Sequence, residues 1–581
     1  MVIENVKGTQ MPANLPTTAE AFQKLTWTEI EPFANALFER ELSDGSVDEW
    51  LRDWTALWAL INETQTRLEV ATTVDTTDEA TNARYLEYLE TVITPWRAAE
   101  QKLKEKLLAS GIEPAGFEMP LRGMRAEAAL FREANLPLFN EEDRLETEYD
   151  KIIGAQTVLW EGEERTLTQL TPYLESADRS LRERAFRVAA ERRLQDRPAL
   201  NALWLKLLDV RQQIALNAGF GDYRAYKWQE LKRLDYTPED NVRFHDAIEE
   251  VVVPAARRLL ELRRERMGVD VLRPWDADWR MTIDPLNRPA LKPFSDGAEL
   301  SAKATEMFRR VDPVFGEYME IMRRENLLDL ENRKGKAPGG YMTYFAVAKR
   351  PFIFMNATGS HGDVQTMLHE GGHAFHGFET SKLPYYQQGD IAIEIAEVAS
   401  MAMELLAAPY LTAEKGGFYT SQADADRAFA DHLMGMIRFW GYMSVVDAFQ
   451  HWAYTHFADA HDIDMCDAKW AELWDRFMPV EDWTGFEDSL RGYWQRQGHI
   501  YGNPFYYVEY GLAQLGAAQV WRNSLRDHKG AVAAYHHALT LGATRTLPEL
   551  FAAAGAKFSL DAATLREIVP LIEETILRLE A

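Results

Sequence analysis

The segment His369-Glu370-Gly371-Gly372-His373 constrains this chain more than any other, because its residue types work together only on an α-helix. Side chains four positions apart project from one helical face, so His369 and His373 can present two imidazole nitrogens to one metal ion. Glu370 lies about 100° further round the helix, near such an ion without having to bind it. The pattern is typical of a zinc site in which the carboxylate acts as a base on water.

The sequence around this segment predicts the helix that it needs. Ser360 and Asp363 have the spacing of a capping box, and apolar residues recur at helical intervals through residues 364–378. Gly371 and Gly372 each weaken a helix by roughly 1 kcal/mol relative to alanine. We therefore expect another element or a ligand to approach the backbone closely at these two glycines.

A catalytic zinc ion usually takes three protein ligands and leaves a fourth position open, so the two histidines require a third ligand. His376 is the nearest candidate, but it lies seven residues beyond the first histidine of the motif, about 10.5 Å along the helix axis. That separation is too long for both rings to reach one ion easily. We expect His376 to pack beside the site or to support a ligand rather than to bind the metal.

An apolar helical segment at residues 391–406 supplies a better third ligand. It is interrupted by Glu394, Glu397 and Glu404, of which the last two lie two turns apart on one face. Buried carboxylates need a partner that offsets the cost of desolvating their charge, and a metal ion with its histidines is such a partner. Glu397 is the expected ligand, and Glu404 is expected to orient a ligand histidine. Glu394 is expected beside the site, although a solvated position also suits an acid near a helix start.

Residues 499–510 are rich in aromatic side chains that can donate hydrogen bonds. They include His499, Tyr506, Tyr507 and Tyr510. Phenol and imidazole groups can stabilise the negative charge that develops on a carbonyl oxygen under attack. An aromatic packing loop is the alternative interpretation, and these residues alone do not decide between the two.

The rest of the chain predicts a mainly helical protein. Amphipathic helical patterns dominate residues 19–111, 180–219 and 301–326, and we find no internal repeat, low-complexity run or obvious linker. Short β-prone runs at residues 341–345 and 351–355 indicate a small sheet close to the motif helix.

A chain of 581 residues can bury a large core, and its length alone would allow several domains. Because no linker interrupts it, we expect two closely packed lobes rather than separable domains. Residues 1–190 are predicted to form an N-terminal helical lobe and residues 191–581 the catalytic region.

Composition narrows the possible partners. The formal net charge of −27 and the isoelectric point near 5.0 argue against nucleic acid or an anionic membrane as the main partner.

Cys466 is the only cysteine, so no internal disulfide can form. Residues 1–7 have neither the basic region nor the apolar run of a signal peptide, which predicts a cytoplasmic protein.

The chain resembles the M3 family of zinc metallopeptidases, the thimet oligopeptidase and oligoendopeptidase F group, and within it the bacterial Pz-peptidase type most closely. A metzincin fits less well, because it would need glycine at position 376 and histidine at position 379, where this chain has His376 and Glu379. The stretches that carry the resemblance are residues 335–341, 351–356, 368–376, 396–404 and 499–510.

The resemblance implies a zincin-type fold of two helical lobes, with a small β-sheet beside the active-site helix and a deep central channel that excludes folded proteins. It implies His369, His373 and Glu397 as the ligands of one zinc ion per chain, and Glu370 as the general base. An edge strand of the small sheet would pair with the extended substrate. A simple buried hairpin is the alternative for these strands.

The resemblance also implies substrate and transition-state contacts from His499 and the neighbouring tyrosines. Tyrosine spacing varies among branches of the family; Tyr507 and Tyr510 are favoured over Tyr506 to face the zinc ion. We expect an endopeptidase that hydrolyses internal bonds of short peptides.

Two alternative functions remain open. The first is a dipeptidyl carboxypeptidase of the same fold, which requires a free substrate C-terminus. The second is a zinc-containing peptide-binding protein without activity, which is disfavoured because Glu370 is intact and the ligand set leaves a coordination position open. The sequence does not predict the oligomeric state.

Overall fold

The computed structural model describes residues 15–277 and 283–580. Residues 1–7, on which the predicted cytoplasmic location depends, lie outside this described part. The described residues are mainly helical, as predicted. In chain order the α-helices are α1 (Ala19–Phe22), α2 (Trp27–Glu39), α3 (Val47–Val74), α4 (Glu79–Tyr88), α5 (Thr94–Ser110), α6 (Glu118–Leu130), α7 (Leu136–Gly154), α8 (Thr171–Leu174), α9 (Arg179–Gln195), α10 (Arg197–Ala218), α11 (Tyr223–Glu230), α12 (Pro238–Met267), α13 (Gly297–Val311), α14 (Pro313–Arg324), α15 (His361–Thr380), α16 (Ile393–Ala407), α17 (Gln422–Thr455), α18 (Phe457–Ala460), α19 (Ile463–Phe477), α20 (Glu487–Arg491), α21 (Gly498–Gly502), α22 (Tyr507–Ser524), α23 (His528–Leu539), α24 (Leu547–Ala553) and α25 (Ala562–Leu579).

Two small sheets accompany the helices. Strands β1 (Thr157–Trp160) and β2 (Glu163–Thr166) form an antiparallel hairpin. Strands β3 (Leu328–Glu331), β4 (Tyr341–Phe345) and β5 (Arg350–Ala357) form a sheet in the order β3-β5-β4. β4 runs antiparallel to β5, and β3 runs parallel to it. The predicted pair of strands is therefore confirmed as β4 and β5, with β4 at an edge of the sheet.

The hairpin β1–β2 and the strand β3 were not predicted from the sequence. In the turn of the hairpin, Glu161 and Gly162 adopt the left-handed conformation, with φ of 53° and 88°. Of these two residues, only the glycine is a sequence signal for that conformation. Each of the three strands is four residues long. Four residues are too few for the alternation of apolar and polar side chains to stand out.

The described chain groups into two compact units, each built from segments distant in sequence. Unit 1 comprises the described residues of Met1–Ala128 together with Lys292–Thr420 and Asn523–Ala556. Unit 2 comprises the described residues of Ala129–Leu291 together with Ser421–Arg522 and Lys557–Ala581. The boundary at residue 190 and the central channel stay predictions.

Each unit has its own apolar core. In unit 1 the helix α3 buries Trp50, Trp54, Leu57 and Ile61, which recur at the three- and four-residue spacing of one helical face. In unit 2 the 34-residue helix α17 packs against α12, α19 and α25 and is buried over most of its length. No helix in the described part of the chain is long and apolar enough to cross a bilayer.

The helix α15 carries the histidine motif and begins as predicted. Ser360 is its N-cap, and Ser360 and Asp363 form a reciprocal capping box in which each side chain accepts a hydrogen bond from the other residue's backbone N–H. The helix packs against β4 and β5 on one side and against α16 on another. Unit 1 therefore places the motif between the three-stranded sheet and the apolar helix α16.

The two glycines of the motif mark close approaches, as expected. A Cβ atom at Gly372 would lie 2.5 Å from the carbonyl oxygen of Ala399 and 2.6 Å from the Cα of Ser400, both in α16. A Cβ atom at Gly371 would overlap the ring of Phe308 in α13. The helix tolerates the glycines because their missing side chains let α13 and α16 approach its backbone.

We predict that Gly372→Ala lowers the thermal midpoint of unfolding, because the added methyl group must push α16 away at a cost of about 1–3 kcal/mol. Gly435→Ala is the matched control: Gly435 also lies within a helix, α17, and no atom lies within 4 Å of its Cβ position. The control should be neutral or stabilising by about 0.5–1 kcal/mol. Equal midpoints for the two variants would contradict the close approach of α15 and α16.

Candidate metal centre and aromatic cluster

Two neighbouring helices of unit 1 bring the predicted metal ligands together. α15 supplies His369 and His373, and α16 supplies Glu397. The Nε2 atom of His369 lies 3.3 Å from Glu397 Oε2, and the Nε2 atom of His373 lies 3.7 Å from Glu397 Oε1. The two rings are nearly perpendicular, at 86°, with centroids 4.8 Å apart. Three side chains from segments well separated in sequence thus converge on one point.

Further side chains of α16 hold this arrangement in place. Glu404 Oε1 accepts a hydrogen bond from His369 Nδ1 at 2.7 Å, which leaves Nε2 of that ring directed at Glu397. The Oγ of Ser400, one turn beyond Glu397, donates to Glu397 Oε2 at 3.0 Å. Ser400 was not predicted, although its position three residues after a ligand on a helix is the signal that could have found it.

The electrostatics of the centre favour a positive charge. Burial lowers the pKa of His369, but its hydrogen bonds to Glu397 and Glu404 outweigh that effect and raise it well above its usual value. Burial and the neighbouring charge of His369 lower the pKa of His373 to about 4, so that ring is neutral and its lone pair is available. The carboxylates of Glu397 and Glu404 therefore stabilise positive charge in the centre, and the neutral imidazole of His373 can bind a metal cation there.

Glu370 lies next to the ligands in sequence and has a strongly perturbed acidity. Burial raises the pKa of its carboxyl group to about 7, and a hydrogen bond from the backbone of Met342 in β4 acts in the opposite direction. A carboxylate with this pKa is suited to accept and return a proton near neutral pH. The same hydrogen bond ties Glu370 to the edge strand of the sheet.

The donor set fits a zinc ion. Among the described residues, one group of three or more histidine, cysteine, aspartate or glutamate side chains could hold a metal ion, and it consists of His369, His373 and Glu397. One ligand atom from each of the three lies within 4.8 Å of the others. Tetrahedral ligands at the usual zinc distances are separated by about 3.3 Å, close to the observed 3.3 and 3.7 Å. Two imidazoles and one carboxylate also leave a coordination position for a reactant.

His376 and Glu394 lie outside this group of ligand atoms. Both are buried, and burial, with a smaller contribution from the neighbouring His373, lowers the pKa of His376 to about 3. His376 is thus a neutral, buried ring one turn beyond His373, and its role beside the site stays a prediction. Glu394 lies in the first turn of α16, and its burial excludes the solvated position that was considered for it.

Unit 2 gathers the predicted aromatic residues into one group, here called the aromatic cluster: His499, Tyr506, Tyr507 and Tyr510. The ring centroid of His499 lies 4.8 Å from that of Tyr507 and 5.6 Å from that of Tyr506. The ring centroid of Tyr510 lies 5.1 Å from that of Tyr506 and 6.2 Å from that of Tyr507. Tyr501, in the same stretch, is instead fully buried and stacks on Tyr149 at 4.2 Å.

A buried polar network holds the turn that leads into the aromatic cluster. Phe505 adopts the left-handed conformation at φ 67°, which costs a non-glycine residue roughly 1–3 kcal/mol. Its N–H donates to Gln450 Oε1 at 2.8 Å, and its carbonyl oxygen accepts from Arg233, which also pairs with Glu509 at 2.6 Å. These contacts fix the backbone on both sides of Tyr506. No local pattern predicts them, because their partners are distant in sequence.

Comparison with known proteins identifies the family. The model of Peptidase family M3 matches residues 172–570, a range that contains the whole candidate metal centre and the aromatic cluster. The chain belongs to peptidase family M3. The resemblance seen in the sequence is thereby confirmed, and M3 peptidases depend on zinc.

Individual relatives within the M3 family are distant in sequence. The chain is 27% identical over 286 residues to an oligoendopeptidase F homolog of Mycoplasma pneumoniae, covering 46% of this chain and 44% of that protein. It is 23% identical over 462 residues to the oligopeptidase PepF of Bacillus subtilis, covering 77% of this chain and 64% of that protein. The chain therefore spans less than two thirds of the length of either relative.

Among solved structures, the fold is similar to that of Pz peptidase A with an inhibitor. The TM-score is 0.85 at 28% sequence identity, and the similarity covers 96% of this chain and 99% of that one. The predicted mainly helical fold of the M3 type, with a small sheet beside the motif helix, is confirmed.

We predict that Glu404→Ala weakens metal binding roughly 10- to 100-fold, because His369 loses the acceptor that orients its ring. A competition titration with a chromogenic chelator measures the affinity. Glu397→Ala should lose the metal more completely, and Glu414→Ala, an exposed glutamate of the same unit, should bind as the wild type does. Unchanged affinity in Glu404→Ala would show that its hydrogen bond does not support the ligand.

Proposed function

We propose that this chain is a zinc-dependent oligopeptidase that cleaves internal bonds of short peptides and holds one zinc ion per chain. The observation that carries the proposal is the convergence of His369, His373 and Glu397, with Glu370 beside them. This combination provides a metal with an open position and a base adjacent to it, which a purely structural zinc site does not need. Short peptides are the proposed substrates, in keeping with the M3 family to which the chain belongs.

Each residue of the centre has a distinct proposed role. His369, His373 and Glu397 would hold the zinc ion, and Glu404 would keep the ring of His369 in the orientation for binding. When bound, zinc polarises the scissile carbonyl and makes water more acidic. Glu370 would take the proton from the attacking water on its carboxylate and deliver it to the nitrogen of the departing amine. The proton thus ends on the new amino terminus, and the hydroxyl group on the new carboxyl group.

The edge strand β4 is the proposed binding surface for the substrate backbone. Among the described strands β4 pairs only with β5, so its other edge can form main-chain hydrogen bonds with an extended peptide. Its residue Met342 is hydrogen-bonded through its backbone to Glu370. A peptide bound along β4 would therefore lie next to the proposed base.

The aromatic cluster is proposed to stabilise negative charge on the carbonyl oxygen of the bond that breaks. Tyr507 is buried, and its ring packs at 4.8 Å against His499, whose pKa is lowered by burial. Tyr510 packs against Tyr507 and is more exposed than it. We assign the principal hydrogen bond to Tyr507, with Tyr510 as the second donor.

We predict that Glu370→Gln keeps nearly one zinc per chain but lowers turnover by a factor of about 100 to 10,000, the usual contribution of general acid–base catalysis. The assay uses a short peptide with an amidated C-terminus, and mass spectrometry identifies the products with and without a chelator. Cleavage in the middle of the amidated peptide supports an endopeptidase. A requirement for a free C-terminus would instead indicate a dipeptidyl carboxypeptidase, and unchanged turnover in the variant would exclude Glu370 as the base.

We predict that Tyr507→Phe lowers turnover by about 100- to 1,000-fold, the effect of removing one donor to an oxyanion, while zinc content stays the same. Tyr501→Phe is the matched control, because Tyr501 comes from the same stretch but is fully buried in packing. The control should retain nearly all of its turnover. If Tyr507→Phe also retains nearly all of its turnover, the hydrogen bond to the oxyanion is assigned to Tyr510 or Tyr506. Phe variants of those two residues then identify which of them donates it.

A further inference from the structure

A buried chain of hydrogen bonds in unit 2 ends on the ring of His499. The phenol of Tyr442 in α17 donates to Oε1 of Gln497 at 2.8 Å, and Nε2 of Gln497 lies 3.0 Å from Nδ1 of His499. Tyr442 and Gln497 are buried, and His499 is partly exposed. Gln497 is also the N-cap of α21, the short helix that carries His499, so its backbone is fixed relative to that ring.

The direction of these hydrogen bonds follows from the phenol. Burial, with Tyr507 and Tyr493 adding to it and the charge of Arg496 opposing it, raises the pKa of Tyr442 well above its usual value. The hydroxyl group therefore keeps its proton. An amide oxygen accepts more strongly than a phenol oxygen, whose lone pairs are delocalised into the ring, so the hydroxyl donates to Oε1 of Gln497. The N–H group of the same amide then faces the imidazole.

An amide N–H that points at Nδ1 of His499 requires a lone pair on that nitrogen. A neutral imidazole has one ring proton, so a ring that accepts at Nδ1 carries the proton on Nε2. A proton on Nδ1 would set two N–H groups against each other, which disfavours both the charged ring and the other neutral tautomer. Burial lowers the pKa of His499 and acts in the same direction. The rings of Tyr506 and Tyr507, which contact His499, are uncharged at neutral pH.

We propose that Gln497 is a positioning residue that holds His499 as a neutral ring with its proton on Nε2, and that Tyr442 fixes the orientation of the Gln497 amide. The ring then presents a hydrogen-bond donor on the nitrogen that does not face Gln497. Such a donor stabilises negative charge on an oxygen atom, whereas a lone pair at the same place repels it. The use of this donor on a substrate rests on the proposed function. The tautomer itself rests on the hydrogen bonds.

Nitrogen-15 NMR of the full-length, zinc-loaded protein with labelled histidine measures the tautomer without depending on catalysis. A ring nitrogen without a proton resonates far downfield of one that carries a proton, and the signals of His499 are identified by their loss in His499→Gln. We expect Nδ1 to lack a proton and Nε2 to carry one at neutral pH. A proton on Nδ1, alone or together with one on Nε2, would overturn the proposal.

Gln497→Glu should reverse the contact, because a carboxylate accepts a hydrogen bond from an N–H at Nδ1 and carries a negative charge. In this variant the ring proton of neutral His499 should move to Nδ1, and the pKa of His499 should rise by about 1 to 3. Both changes are measured by NMR as a function of pH. An unchanged tautomer and pKa would contradict the positioning role of Gln497.

Loss of the amide separates positioning from packing. Gln497→Met removes the donor and keeps most of the side-chain volume, and Tyr442→Phe leaves the Gln497 amide able to rotate, so both variants should populate two tautomers of His499. Gln514→Met is the matched control: Gln514 is a buried glutamine of the same unit, and its amide donates to the carbonyl oxygen of Met436 at 2.8 Å. The control should keep the tautomer of the wild type, and thermal midpoints show whether each variant is folded. Identical His499 spectra for Gln497→Met and the control would end the proposal.

The pH dependence of turnover connects the tautomer to the proposed function. In Gln497→Glu the charged ring below the raised pKa still donates from Nε2, whereas the neutral ring above it has its proton on Nδ1. Turnover of the amidated peptide should therefore fall as pH rises through the raised pKa, by up to the roughly 100- to 1,000-fold that one donor to an oxyanion contributes. Wild type and Gln514→Met should show no fall in that range.

The two measurements fail separately. A pH profile of Gln497→Glu that matches the wild type would show that the Nε2 donor of His499 takes no part in the reaction, and the functional half of the proposal would be wrong. Failure of the proposed function would appear instead as turnover that Glu370→Gln leaves unchanged. Failure of the positioning role would appear in the NMR spectrum of the wild type, which does not involve hydrolysis.

Discussion

The contact between α15 and α16 at Gly372 is the constraint on which the candidate site depends. Because this residue has no side chain, its Cα can approach Ala399 and Ser400 to a distance that a Cβ atom would prevent. At that separation Glu397 of one helix lies 3.3 and 3.7 Å from the two imidazoles of the other. The same approach brings Glu404 to 2.7 Å from the ring of His369. Gly372 costs the helix a small amount of stability, and in return its missing side chain allows two helices to approach closely enough to form the centre.

Burial then determines the chemistry of the groups that the helices bring together. Carboxylates removed from water need compensation, and Glu397 finds it in His369, His373 and the hydroxyl of Ser400. Glu370 has less compensation, so its pKa rises to about 7. Adjacent acids on neighbouring helices therefore differ in protonation: one remains an anion suited to hold a cation, and the other can exchange a proton.

Local patterns predicted the features that depend on short-range spacing. The capping box, the length of the motif helix and the strands β4 and β5 were found because each has a signal within a few residues. Glu397 was predicted by a different argument, the cost of burying an acid in an apolar helix. That cost indicates that the carboxylate must have a partner, but it does not give the distance between the two. The contacts of Arg233 with Phe505 and Glu509 were missed, since they arise only when distant segments meet. Ser400 was also missed, although its three-residue spacing from Glu397 on one helix is a local signal.

The sequence by itself determined the residue types of the centre, the helical face on which two of them lie and the family to which the chain belongs. Tertiary structure decided how close those groups come, that Glu397 lies near both histidines while Glu404 contacts His369 alone, and how far burial moves the pKa of Glu370. The reason is physical: helical periodicity acts over a few residues, whereas desolvation and charge pairing depend on every segment that packs around a group.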